Sequence, residues 1–210
     1  LFNSDNLFVL LTIFVAIAGL SILSAIEKGG EVLWFNTNNN PFADWSFRAI
    51  TLIGEIYFIL PAIAFVWWKK GRENALLIIF AMIDVAVIVQ SLKHLIFSHL
   101  SRPAELIGKL HSLRVIAGVE PLHFHSFPSG HTAGAFAIMF LLASAFKNRT
   151  ATFFLFSLAL LTGISRMYLL QHFLSDVIAG ALIGVATAWI INRYFAHRIE
   201  GMKFVSFRSK

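Results

Sequence analysis

Apolar runs of about 20 residues recur along this chain. At ~1.5 Å of rise per helical residue such runs are long enough to cross a ~30 Å hydrocarbon core, the fourth, at 131–146, being somewhat short. Six are delimited, at 7–26, 49–68, 75–97, 131–146, 151–172 and 175–195. A backbone surrounded by lipid must satisfy its own hydrogen bonds, so such runs fold as helices. The expected fold is therefore all-α, an integral membrane bundle of six transmembrane helices forming one domain over 1–210. With 58% hydrophobic and only 13% charged residues, a soluble domain of this size is excluded. The absence of cysteine rules out disulfides and thiolate metal sites. The first run is full length with no basic residue before it, so it reads as a span rather than a cleavable signal.

The segments between the runs set the topology. Residues 27–45 are polar, with Trp34 and Trp45 suited to a membrane interface and Asp44 placed to cap the second run. Ten of the 17 Lys and Arg residues fall in the turns at 69–74 and 147–150 and in the stretch from Arg193 onward. An even number of spans puts these on one side, and the positive-inside rule makes that side cytoplasmic. Both termini are then cytoplasmic, and the long 98–130 segment faces outward, into the periplasm in a bacterium with two membranes. The net charge of +6 fits this topology, and no element resembles a nucleic-acid-binding unit.

Three polar blocks converge on that outer face. The first is Lys93, followed after eight residues by Arg102-Pro103; the second is Ser126 to His131. The third runs from Ser165-Arg166 through His172 to Asp176. Charge at a membrane edge is costly and tends to be functional. His172 and Asp176 are four residues apart, and a helix break is expected around 173–175 with Ser175 capping the next helix. The carboxylate can hold one imidazole nitrogen as a donor and leave the other free to attack. Lys93, Arg102 and Arg166 supply cations for nonbridging phosphoryl oxygens, and Ser129 supplies a hydroxyl. Gly130 permits close backbone approach at a helix start, where free N–H groups favour an anion. His131 and His172 can divide nucleophilic and acid–base labour. The residue types do not say which histidine attacks.

These blocks resemble the signature of the type 2 phosphatidic acid phosphatase family, which shares its core with vanadium haloperoxidases. The pattern is Lys-x6-Arg-Pro, then Pro-Ser-Gly-His, then Ser-Arg-x5-His-x3-Asp. The second block matches at Pro128, Ser129, Gly130 and His131, and the third at Ser165, Arg166, His172 and Asp176. The first departs, with eight residues rather than six between Lys93 and Arg102. The resemblance covers about 44–195 and leaves a basic cytoplasmic tail at 196–210. It implies that His172 becomes phosphorylated, oriented by Asp176. It implies that His131 protonates the leaving group and then activates water. Lys93, Arg102, Ser129, Gly130 and Arg166 would hold the phosphate, with no metal or other cofactor. The implied partners are membrane lipids and a lipid phosphate or diphosphate, with undecaprenyl diphosphate as first choice. Phosphatidylglycerol phosphate, phosphatidic acid and lipid A stand as alternatives, as does phosphoryl transfer to an acceptor other than water.

Other polar residues are read more plainly. His123, His125 and His131 lack the companion ligands of a zinc site, and Glu55 and Asp84 are left outside the site. The phenylalanines are read as lipid-facing bulk. Gly180 and Gly184 form a small-xxx-small pair suited to close helix packing. Apolar residues at 106–107 and 115–119 are placed to shape a lipid entrance. A transporter would require paired broken helices and inverted repeats, which the sequence lacks.

Overall fold

A computed structural model describes residues 3–106 and 113–201, with side chains to residue 195. Ile107, Lys109 and the tail beyond Gly201 lie outside the described residues, and with them part of the expected lipid entrance and of the topological charge count. The described residues are helical, without strands. The helices are α1 (Ser4–Ala25), α2 (Gly30–Thr37), α3 (Pro41–Ile50), α4 (Ile56–Lys70) and α5 (Arg72–Ser91), then α6 (Pro103–Leu106), α7 (Gly130–Phe146), α8 (Arg149–Tyr168) and α9 (Leu174–Gly201).

Helix α7 is the axis. Every residue from Thr132 to Ala143 is buried, because α1, α5, α8 and α9 surround it. A helix that is apolar on all sides suits such a position. Two glycines set the tightest contact. A Cβ at Gly180 would lie 2.5 Å from the Ser129 carbonyl oxygen, and one at Gly184 would lie 2.2 Å from that of Ala133. Only hydrogen fits at either place, so the small-xxx-small pair does bring α9 against α7. Phe8 meets Phe136, Phe140 and Phe156 edge-to-face at centroid distances of 5.3–6.2 Å. These four phenylalanines are core rather than lipid-facing bulk, unlike Phe14 and Phe154, which do point outward.

Four helices are long and apolar enough to cross a membrane: α1, α5 with its continuation to Ile96, α8 and α9. The protein is an integral membrane protein. The second expected span differs from its sequence reading. Its first residues, 49–54, form the end of α3 and a 3₁₀ turn at Thr51–Gly54, only the rest falls in α4, and the two helices are bent by 54°. Counted as one span, that pair makes a fifth. The split follows from the pattern: α3 is amphipathic with no buried residue, whereas α4 is apolar. Asn40 caps α3 by accepting the Ala43 N–H at 2.9 Å, and Asp44 is engaged elsewhere. Helix α7 has 17 residues, about 26 Å of helix, shorter than a ~30 Å core.

Candidate active site

The ends of α5, α8 and α4's leading turn and the starts of α7 and α9 meet at one end of the bundle, and the three polar blocks meet there. Asp176 is the organising acceptor. Its Oδ2 takes the Ser126 hydroxyl at 2.5 Å and the Phe173 N–H at 3.0 Å, and it lies 3.4 Å from His172 Nδ1. The side chain reaching back to Phe173 closes the first turn of α9 from inside. Ser175 lies within that turn, so Asp176 caps the helix in place of the expected Ser175.

The loop bearing His172 is fixed from both sides. Helix α8 ends with Leu170 in the left-handed region (φ 58°). The Leu170 N–H donates to the Met167 carbonyl at 3.1 Å, and the Gln171 N–H donates to the Arg166 carbonyl at 2.9 Å. This pair of bonds is a Schellman cap, built here on leucine rather than glycine. The His172 N–H donates to the same Arg166 carbonyl at 3.2 Å. From the other side, Glu31 Oε1 accepts the Leu174 N–H at 3.0 Å. The ring of His172 is only 2% exposed. Burial, which disfavours the cation, pushes its pKa down to about 3 against the opposing pull of Asp176. The ring is therefore neutral near pH 7. With Nδ1–H turned to Asp176, Nε2 carries the lone pair, and Arg102 Nη1 lies 3.4 Å from it.

Three cations gather at this end of the bundle. Arg102 donates through Nε to the Phe124 carbonyl at 2.9 Å and through Nη1 to the Gln171 carbonyl at 3.0 Å. Lys93 donates to the His125 carbonyl at 3.0 Å, and Arg102 Nη2 reaches the same oxygen at 3.4 Å. The longer Lys93–Arg102 spacing is thus accommodated. A π-helical turn at Leu92–Ile96, closed by Phe97 N–H to the Leu92 carbonyl at 2.9 Å, takes up extra length before the chain returns. Arg166 donates to Thr51 Oγ1 at 2.5 Å, while its buried Nε has no partner among the described residues. Its charge acts on both His131 and His172.

At the start of α7, Ser129 Oγ accepts from the Thr132 hydroxyl at 2.9 Å and lies 3.4 Å from the Thr132 N–H. Its own hydrogen remains available to donate. The Ser129 N–H donates to the Asp176 carbonyl at 3.0 Å, locking α7 to α9. A Cβ at Gly130 would meet Val89 at an ordinary 3.5 Å, so packing does not demand glycine there.

His131 faces a cavity of about 570 Å³ lined also by Thr51, Glu55, Arg166, Gln171 and Arg48. Its Nε2 lies 3.1 Å from Glu55 Oε1. Glu55, set aside in the sequence reading, therefore belongs to the site. Its place at the α3–α4 break points its carboxylate inward, and nothing local in the sequence marks that break. Ser126, Gln171 and Glu31 are further residues of the site that the sequence reading did not assign. Asp84 lies within α5, away from the cavity. Among the described residues, no group of three His, Asp or Glu is arranged to hold a metal ion, and His123 instead contacts Glu105 at 3.0 Å.

Two His–carboxylate pairs thus lie near the cations Lys93, Arg102 and Arg166, of which Arg166 lines the cavity with His131. A family model for the PAP2 superfamily matches residues 74–200. The chain belongs to the PAP2 superfamily. It is 32% identical to the bacitracin transport permease protein BcrC of Bacillus licheniformis over 148 residues. That match spans 65% of this chain and 64% of the relative. It is 25% identical to a lipid A 4'-phosphatase of Bacteroides thetaiotaomicron over 179 residues, 80% of this chain and 76% of that one. The crystal structure of Aquifex aeolicus LpxE superposes with a TM-score of 0.70 at 32% identity, covering 80% of this chain and 95% of that one. All three blocks from Lys93 to Asp176 fall inside the PAP2 match.

Proposed function

We propose that this protein is a membrane lipid phosphatase that removes a phosphoryl group from a lipid phosphate or diphosphate through a phosphohistidine on His172. The observation that carries the proposal is the unpartnered Nε of Arg166, a guanidinium 7% exposed beside a neutral, carboxylate-oriented histidine. A buried cationic donor left without an acceptor is costly unless an anion fills the place. Arg166, Arg102, Lys93, the Ser129 hydroxyl and the first turn of α7 hold the nonbridging oxygens and stabilise their charge in the transition state. His172 Nε2 bonds to phosphorus as the leaving oxygen departs, and Asp176 stabilises the imidazolium that forms. His131, held by Glu55, gives its proton to the leaving oxygen and afterwards takes one from the water that cleaves the P–N bond. No step calls for a metal ion.

The reading extends to topology. The α3–α4 pair and α7 complete six crossings, both termini are cytoplasmic, and the site opens on the outer face. The chain acts as one membrane domain with its core at 44–195. The amphiphile lies with its headgroup among the cations and its tail toward lipid. Undecaprenyl diphosphate heads the list of substrates to test, and lipid A phosphates follow.

The test is phosphate release by purified protein in detergent with EDTA, against a panel of lipid phosphates, with His172→Ala as the blank. Release from one or two lipids that is absent in the variant is expected. Release by His172→Ala at the native rate removes the mechanism, and loss of release in EDTA restores a metal.

A further inference from the structure

The cavity in front of His131 holds a cation that the phosphoryl pocket does not use. Arg48, on α3, lines the same wall as His131, Glu55 and Arg166. Its natural partner is Asp44, one helical turn earlier. Asp44 is already taken: Arg114 grips it with two bonds of 3.1 and 2.6 Å, and the Tyr168 hydroxyl donates to it at 2.6 Å. Arg48 makes no hydrogen bond or salt bridge among the described residues, and its charge acts on Asp44 only at longer range, as the smallest of that carboxylate's influences. Its guanidinium lies against the loop at Gly118, where φ is +77° and a Cβ would sit 2.9 Å from Arg48 Nη2. The positive φ at residue 118 suits glycine, and the loop passes close to the guanidinium there. Glu120 lines the same cavity, and its backbone carbonyl accepts from Gln171 Nε2 at 3.0 Å.

The position of this cation relative to the reaction follows from the two histidines. His172 is buried and does not line the cavity, whereas His131 does. In an in-line displacement the leaving group departs opposite the nucleophile. The cavity is therefore the leaving-group side, and Arg48 stands on it. We infer that Arg48 binds a second phosphate on the leaving group, making the site selective for lipid diphosphates over monophosphates. The inference rests on the phosphohistidine reading above and names its substrate class. His172 Nε2 bonds to the terminal phosphorus as the bond from that phosphorus to the bridging oxygen breaks. The bridging oxygen leaves with the electron pair on the lipid monophosphate, where Arg48 meets the negative charge. Water then releases inorganic phosphate from His172. A monophosphate presents only a neutral alcohol to the same wall and gains nothing from Arg48.

The experiment compares a prenyl diphosphate with the monophosphate of the same prenyl chain, in neutral detergent free of anionic lipid. It measures kcat/KM for each with wild-type, Arg48→Ala and Arg48→Lys protein. Arg48→Ala is expected to lower kcat/KM on the diphosphate by about ten- to a hundredfold and to change the monophosphate by about twofold at most. Arg48→Lys, keeping the charge without the fork, falls between. Equal losses on both substrates would show general attraction of anionic lipid by α3 and overturn the assignment, as would an unchanged ratio. If wild-type protein releases phosphate from neither substrate while remaining folded, the phosphohistidine reading fails before the question of Arg48 arises.

Discussion

Removing the charge of Glu55 tests the site most sharply, because in the proposed mechanism the residue acts on the reaction only through His131. The two groups are 3.1 Å apart, with side chains 30% and 32% exposed. A hydrogen bond to a charged partner is worth about 1.5–3 kcal/mol, and partial exposure reduces that to about 1–2 kcal/mol here. Steps in which His131 carries the proton should then slow about five- to thirtyfold. Glu55→Gln, which keeps the shape, should sit near the lower end, and Glu55→Ala near the upper. Rapid quench separates formation of the phosphoenzyme from its hydrolysis. With a lipid phosphate both steps should slow, since His131 serves as acid in one and base in the other. With an activated aryl phosphate the leaving oxygen needs no proton, so formation should run at the wild-type rate while hydrolysis stays slow. Equal retardation of formation with both leaving groups would refute the assignment of Glu55 to acid–base chemistry. So would wild-type rates throughout. Melting temperatures in detergent control for unfolding.

Asp176→Asn should retain the fold of α9's first turn yet lose about a hundredfold in phosphoenzyme formation, because His172 loses its anionic partner; a burst of normal rate would count against that role. Gly184→Ala should lower the melting temperature in detergent by a few degrees or more, since its Cβ would lie 2.2 Å from the Ala133 carbonyl oxygen. Gly130→Ala, with 3.5 Å to Val89, should melt normally but turn over slowly, and the reverse pattern would assign the two glycines wrongly. Burial holds the His172 pKa at about 3 in the folded protein against 6.5 ordinarily, so between those values the unfolded chain binds a proton that the folded one does not. Stability should therefore be full above about pH 6.5 and fall as pH drops, by on the order of 3 kcal/mol near pH 4. His172→Gln should flatten that slope, and an equal slope in both proteins would contradict the neutral ring.

The parts of the site legible in the sequence are those whose geometry is local. Pro128 to His131 begin one helix, and Ser165 to Asp176 span one helix end and the next helix start, so spacing alone places them. Gly180 and Gly184 were readable for the same reason, as one face of one helix. Lys93 and Arg102 depart from the family spacing, and only the π turn and the shared His125 carbonyl show how they converge. Glu55 was not legible because its partner lies 76 residues away. Its helix break is also hidden within a continuous apolar run. The same masking carried the second expected span back to residue 49, through the 3₁₀ turn, since hydropathy averages over that turn and the apolar helix that follows it. Glu31 and Ser126 act on backbone and carboxylate atoms of other segments, which no local pattern records. The phenylalanine core around Phe8 was missed because apolar composition does not distinguish a ring facing lipid from one facing another helix.

The cap that closes α8 bears on how this chain can change over time. The carbonyl of Arg166 receives the N–H groups of both Gln171 and His172, and the guanidinium of the same residue faces the pocket. In the proposed mechanism one residue thus fixes the nucleophile by its backbone and the phosphate by its side chain. The five positions between Arg166 and His172 are the length of a single capping turn. A deletion or insertion there would rotate the ring away from Asp176 and abolish the cap at once. The interval from Lys93 to Arg102 has slack, because its ends are joined through a carbonyl on a third segment. Length variation should therefore accumulate in the first block and be purged from the third, so that the clock of this site runs unevenly along its own motif.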